Sequence, residues 1–266
     1  MVFSFKSLIA TVSISLLGAL CVSSASATQT IKVGVTAGPA AEILEQVIPI
    51  AKKKNLEIKL YEFQDYVRPH AALADGELDA NVFSTKVWLD AQNHDRGYNL
   101  VPVGRAFTLP MAFYSKKFKN FNEVPAGSTV GIPNDRTMVG RALLLLEANN
   151  IIKLKEGVGL IPSTFDITSN PKKLKFLELD AAMLPHSLND LAVSAINGNY
   201  AALAGLNPLK DGLIAEDKDA PYVCYIVVQN KDKNASWVKD LVTSVQDPAV
   251  KKFIDNKYQG SVIAGF

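Results

Sequence analysis

Along most of this 266-residue chain, short runs of β-forming residues alternate with segments whose apolar residues recur at three- and four-residue spacing. That alternation is the strongest constraint on the fold, because strands linked through helices tend to pair in parallel and need helices to cover the sheet. Residues 30–35 (Thr-Ile-Lys-Val-Gly-Val) read as a strand that ends in small residues. A helix opens at Pro39, which suits a first turn because its missing N–H would have no partner there. Ile43, Leu44, Val47, Ile48 and Ala51 form one apolar stripe, and Pro49 must kink this helix or end its regular ladder. Residues 56–60 alternate as a second strand, a helix runs from Pro69 to Ala74 and closes at Asp75-Gly76, and 78–83 form a short strand. The same rhythm gives strands at 101–104, 111–115, 129–133, 175–179, 192–196 and 225–228. Residues 134–137 supply capping side chains for a helix over 139–148 that must largely bury Leu143 to Leu146. Helices over 237–245 and 248–256 close the chain. The expected class is α/β, with parallel sheets covered by helices.

The N-terminus has a separate character. Lys6 precedes an apolar stretch over residues 8–22, and Ser23 to Ala27 provide a small-residue exit, which together describe a secretory signal peptide. Its apolar core of 15 residues is shorter than the ~20 a membrane-spanning helix needs. Cleavage after Ala27 leaves 239 of the 266 residues, and no later stretch is long and apolar enough to span a bilayer. With 28 Lys+Arg against 26 Asp+Glu there is no basic surplus to support a nucleic-acid binder. The two cysteines are Cys21, inside the leader, and Cys224, so the mature chain has no internal disulfide. Lipid-attachment cysteines normally follow a small residue, and Leu20 precedes Cys21. The expectation is therefore a periplasmic protein starting at Thr28, in preference to one anchored at Cys21.

The strand pattern restarts around residues 107–111 and returns near Tyr222. A chain that leaves one sheet, builds a second and comes back makes two crossovers, hence a hinge and a cleft between lobes. The expected division is residues 28–108 with 223–266 in one lobe and 109–222 in the other.

Several segments in order along the mature chain carry a resemblance. They are Phe63-Gln64-Asp65-Tyr66-Val67, Asp75-Gly76-Glu77-Leu78-Asp79-Ala80-Asn81, Ile132-Pro133-Asn134-Asp135, the run from Gly140 to Leu146, Ile196-Asn197-Gly198-Asn199-Tyr200-Ala201, and the run from Glu216 to Tyr222. Together they resemble the NlpA/MetQ family, the methionine-binding proteins of bacterial ABC importers. The resemblance implies a two-lobed (type II-like) periplasmic-binding-protein fold, no enzymatic turnover, and delivery of a D- or L-amino acid to a membrane permease with a separate ATPase subunit. Many members are lipoproteins, and Leu20 before Cys21 departs from that pattern. We expect a monomer without a cofactor.

A free amino acid presents a carboxylate, an ammonium and a side chain. Arg141 is the candidate for the carboxylate, through a two-pronged guanidinium bond reinforced by a helix N-terminus; a surface Arg serving its own helix is the plain alternative. Asn197 ends an apolar strand, where its amide can meet either end of a zwitterion, although Asn197-Gly198 is also a strong turn signal. Tyr66, Phe83 and Trp88 are aromatic candidates for a side-chain pocket, since thioethers pack well on aromatic faces; any one of them could be ordinary core. The resemblance implies ligand contacts for Arg141, Asn197 and Tyr66. It also marks two departures: Thr85 stands where relatives typically carry a pocket His, and Cys224 where they carry an Asn that bonds the ligand backbone. Trp88 stands where many carry Tyr. These exchanges reshape the pocket, so a methionine-like amino acid is the expected ligand and a different apolar, polar or sulfur-containing amino acid, or a short peptide, the alternative.

His70, His94 and His186 show no metal-ligand spacing, and neither a G-x-S-x-G elbow nor a phosphate loop occurs. Two other classes stay open on sequence grounds: an exported enzyme on the same fold and a surface interaction protein with a vestigial cleft.

Overall fold

The computed structural model describes Met1 and residues 28–266, so the expected leader, with Cys21 and the cleavage point after Ala27, lies outside the described residues. The first stretch contains β1 (Gln29–Thr36), α1 (Pro39–Lys52), β2 (Leu56–Phe63), α2 (Arg68–Ala74), β3 (Ala80–Thr85), α3 (Lys86–Arg96) and β4 (Leu100–Thr108). The middle contains β5 (Ala112–Tyr114), β6 (Thr129–Pro133), α4 (Arg136–Ala148), β7 (Lys153–Leu154), β8 (Ile167–Ser169), β9 (Lys175–Leu179), α5 (Leu184–Ser187), β10 (Val193–Ile196), α6 (Gly198–Leu203) and β11 (Gly212–Ala215). β12 (Val223–Gln229), α7 (Ser236–Val245), α8 (Pro248–Tyr258) and β13 (Ile263–Ala264) complete the chain. Pro49 lies inside α1, which stops at Lys52, so the lost ladder bond falls in its last turn.

Two sheets form two lobes. One has strand order β13-β4-β12-β3-β1-β2, the other β11-β5-β10-β6-β9, and β7 and β8 make a separate ribbon. Neither sheet is wholly parallel, which corrects the expectation from the sequence. β1 pairs in parallel with β2 and β3, but β12 runs antiparallel to β3 and β4. In the second sheet β6 pairs in parallel with β9 and β10, while β5 runs antiparallel to β10 and β11. Apart from the C-terminal β13, which runs antiparallel to β4, the reversed strands are those next to the crossovers. β5 and β12 each enter a sheet from the other lobe rather than through a covering helix, so the right-handed parallel connection does not apply to them.

Each lobe has its own core. Val33, Val35, Val82, Ile226 and Val228 pack beneath Ile43, Leu44 and Val47 of α1 and Leu241 and Val245 of α7. In the second lobe Val130, Ile132, Val193 and Ala195 pack against Leu143, Leu145 and Leu146 of α4, with Leu144 only half-buried. Trp88, carried by α3 beside the first sheet, is buried within this second cluster and so bridges the lobes.

Candidate ligand-binding site

The cleft between the sheets narrows to a tight cavity of ≈ 30 Å³ in this closed arrangement. Tyr66, Phe83, Thr85, Trp88, Arg141, Asn197 and Cys224, the candidates from sequence, all line it. They come from both lobes and are up to 158 positions apart (224 minus 66). Ser84, Asn199 and Met138 line it as well.

Arg141 reaches the cavity from α4. This helix starts earlier than its apolar spacing indicates, because Asp135 accepts from the Thr137 and Met138 amides at 2.9 and 3.3 Å and fixes the first turn there. Arg141 therefore sits beyond the first turn, where the helix dipole has largely faded. Its charge is met by Glu216 instead. Arg141 Nε donates to Glu216 Oε1 at 2.6 Å, and Nη2 donates to Oε2 at 2.5 Å and to the Leu109 carbonyl at 3.0 Å. The two-pronged face expected to grip a ligand is thus spent on Glu216, and Nη1 is the part of the guanidinium left to donate. Both side chains are almost wholly buried, at 7% and 3% exposure. Burial alone pulls the guanidinium pKa down, but the charge and hydrogen bonds of Glu216 outweigh it and raise it. The Tyr222 ring lies 4.4 Å beneath the guanidinium carbon and fixes its plane. Glu216 also accepts from the Met111 amide at 2.8 Å, so the pair ties both crossover segments together.

Asn197 follows the last residue of β10 and precedes α6. Its side chain makes no cap for α6; Nδ2 points to the Met138 sulfur at 2.9 Å, and Oδ1 is buried with no partner in the protein. The neighbouring Gly198 is needed for close approach, since a Cβ there would lie 2.8 Å from the Pro110 carbonyl oxygen. A larger residue would push the crossover away from the site.

The aromatic side chains form one cluster. Tyr66 lies parallel to Phe83 at 6.3 Å, edge-on to Trp88 at 6.1 Å and tilted on Tyr200 at 5.3 Å. Burial, and then the nearby Tyr200, push the Tyr66 phenol pKa well up, so it stays a hydroxyl donor. A bulge brings Phe83, Ser84 and Thr85 to the same cavity. Ser84 pairs with Tyr225 and Val82 with Ile226, which leaves Phe83 as the extra residue and re-aims the end of β3. The Thr85 hydroxyl caps α3, accepting from the Trp88 amide at 3.4 Å, and Cys224 lies directly across the sheet from Thr85. Burial pushes the Cys224 thiol up to about 12, so it lines the wall as a thiol.

Three polar contacts hold the lobes together over the cavity. Tyr66 Oη donates to Asn199 Oδ1 at 2.5 Å, Tyr200 Oη donates to the Gln64 carbonyl at 2.9 Å, and Arg136 Nη2 meets both Asp95 oxygens at 2.9 Å. This is a closed arrangement. Glu216, His70, Ser84 and Asn199 had no separate signal in the sequence. His70 sits on the buried face of α2 beside Pro69 and Leu73, a position that periodicity fills with an apolar residue. Among the described residues no His, Cys, Asp and Glu group is arranged to hold a metal, and no helix is long and apolar enough to cross a membrane.

Two mixed α/β lobes joined by paired crossovers around a closed cavity define the periplasmic-binding-protein architecture. The chain belongs to the NlpA lipoprotein family, whose model matches residues 31–266. The D-methionine-binding lipoprotein MetQ of Salmonella typhimurium is 46% identical over 239 residues, covering 89% of this chain and 88% of that one. The probable D-methionine-binding lipoprotein MetQ of Vibrio cholerae is 44% identical over 269 residues and 100% of both chains. A nutrient binding protein from Burkholderia cenocepacia, solved bound to methionine, superposes with a TM-score of 0.86 at 46% identity, covering 89% of this chain and 100% of that one.

Proposed function

We propose that this protein is the solute-binding component of an ABC importer, capturing a free α-amino acid and handing it to a permease driven by a separate ATPase subunit. Methionine is the ligand to which the relatives' names point. The observation that carries the reading is the pairing of groups in the cavity: Arg141 Nη1 is available to a carboxylate, and the buried Asn197 Oδ1 lacks a donor that an ammonium can supply. In this reading residues 28–108 with 223–266 move as one lobe and 109–222 as the other, the ligand contacts are Tyr66, Phe83, Thr85, Trp88, Arg141, Asn197 and Cys224, and the protein acts as a monomer without catalysis. It is exported and begins at Thr28; an acylated Cys21 is the alternative that the relatives' lipoprotein names favour. A second reading, a different amino acid, is favoured by Thr85, whose hydroxyl is committed to α3, and by the weakly polar Cys224.

Native mass spectrometry of the protein purified from its own membrane and periplasmic fractions tests these points together. The expected result is a one-to-one complex with an unmodified amino acid on a chain starting at Thr28. A folded protein that neither retains nor binds any amino acid on titration overturns the proposal, as does conversion of the bound molecule over hours.

A further inference from the structure

The wall of the cavity supplied by the first lobe holds two polar groups that an all-apolar ligand side chain leaves unused. Ser84 is 1% exposed, and its hydroxyl lies 3.1 Å from Nε2 of His70, which is itself 0% exposed. Nδ1 of His70 is buried without a hydrogen-bond partner, and the Tyr66 backbone carbonyl, one helical turn earlier, is the acceptor that acts on the ring. A carbonyl only accepts, so it favours the tautomer with the proton on Nδ1, which leaves Nε2 as an acceptor. Ser84 then donates its one proton to His70 and keeps only lone pairs for the cavity. The second group is Trp88 Nε1–H, a donor that cannot accept, buried on a lining residue and without a partner. One wall therefore offers an acceptor and a donor at neighbouring positions.

The charge balance narrows what can meet them. Among the described residues Arg141 is the only charged side chain lining the cavity, and Glu216 neutralises it. A ligand side chain that is itself charged would be buried without compensation. What remains is an uncharged group that both donates and accepts. We propose that the side-chain pocket selects a primary carboxamide, with glutamine as the ligand that matches methionine in reach: its carbonyl accepts from Trp88 Nε1 and its amide donates to Ser84 Oγ. His70 is a positioning residue, holding the Ser84 proton away from the ligand. This rests on the reading of the site as an amino-acid pocket and specifies its side-chain end.

Titration calorimetry on the ligand-stripped, refolded protein with L-glutamine and L-methionine decides it, and the wild-type ratio suffices without any variant. Glutamine is expected to bind at least as tightly as methionine. Ser84→Ala and Trp88→Phe should each lower the glutamine-to-methionine affinity ratio about three- to tenfold, the worth of one hydrogen bond. His70→Ala should reproduce the Ser84→Ala change in the glutamine-to-methionine ratio, which a purely structural role does not predict. Methionine binding without glutamine binding overturns this inference and leaves the amino-acid reading standing. Variants that weaken both ligands equally also overturn it. Binding of neither, by folded protein, removes the broader reading together with it.

Discussion

Arg141 and Ser84 face the same cavity from opposite lobes, yet they are held in different ways. Arg141 is fixed by a bidentate partner, a carbonyl and an aromatic face, so its geometry exists before any ligand arrives. Ser84 has one firm contact, to an imidazole, and stands beside an indole N–H and a thiol that have little to pair with. The first arrangement suits features shared by every amino acid, because a preorganised group loses little freedom on binding. The second suits the part of the ligand that varies. A binding protein can keep its grip on the zwitterion while exchanges such as Thr85 and Cys224 alter side-chain preference.

The largest expected effect separates the structural and ligand roles of the Arg141 wall. Arg141→Ala leaves Glu216 buried without its partner and should cost about 3–5 kcal/mol of folding stability, read from denaturant unfolding. Arg141→Leu with Glu216→Leu removes both charges and should recover much of that loss. Affinity should not recover with it: calorimetry is expected to show weakening of roughly 2–5 kcal/mol in every variant lacking Arg141, including Arg141→Lys, which cannot reproduce the fork that Glu216 holds. Near-wild-type affinity in the stable double variant would mean that Arg141 only braces the crossovers.

The next effect belongs to the opposite wall. Burial, opposed only by the Tyr66 backbone, pushes the His70 imidazole down to about 4, whereas in the unfolded chain it titrates near its ordinary value of 6.5. Below 6.5 the unfolded state takes up a proton that the folded state refuses. The stability from keeping His70 neutral is therefore fully present above 6.5 and declines as pH falls toward 4. The gap corresponds to on the order of 3 kcal/mol. His70→Asn should show a flatter decline than wild type across that window, in urea unfolding at stepped pH. Parallel curves would mean that the imidazole titrates in the fold as it does in the unfolded chain.

The two walls also differ in how much the sequence discloses. Alternating strand and helix periods locate nearly every long element, and the restart near residue 107 indicates the two crossovers. Periodicity cannot show strand direction, so the reversal of β5 and β12 is visible only in three dimensions. Arg141, Asn197 and Tyr66 stand out through the family resemblance, which marks positions but not partners. Glu216 pairs with Arg141 across 75 positions, and no local pattern links them. His70 and Ser84, 14 positions apart, meet because α2 folds back on β3, and on sequence alone each is an unremarkable polar residue. What stays hidden is how polar groups satisfy one another at long range.

The smallest effect concerns the rim where the walls meet. Arg136, at the first position of α4, and Asp95, near the end of α3, form a two-oxygen contact at 2.9 Å across the mouth of the cleft, with His94 Nδ1 on the same carboxylate at 2.9 Å. Side-chain exposures of 51% and 43% place the pair in water, where such contacts contribute little. Unlike Tyr66–Asn199 and Tyr200–Gln64, which are partly buried, this latch depends on ionic strength. Asp95→Asn should accelerate ligand release no more than a few-fold at low salt, measured by stopped-flow fluorescence. The difference from wild type should vanish near 1 M salt, where the Debye length falls to about 3 Å. Tyr66→Phe should speed release at either salt concentration, because it removes a short hydrogen bond shielded by the aromatic cluster. If Asp95→Asn instead exceeds Tyr66→Phe, closure is governed at the rim, and the contrast between a fixed wall and an adaptable one gives way to control by surface charge.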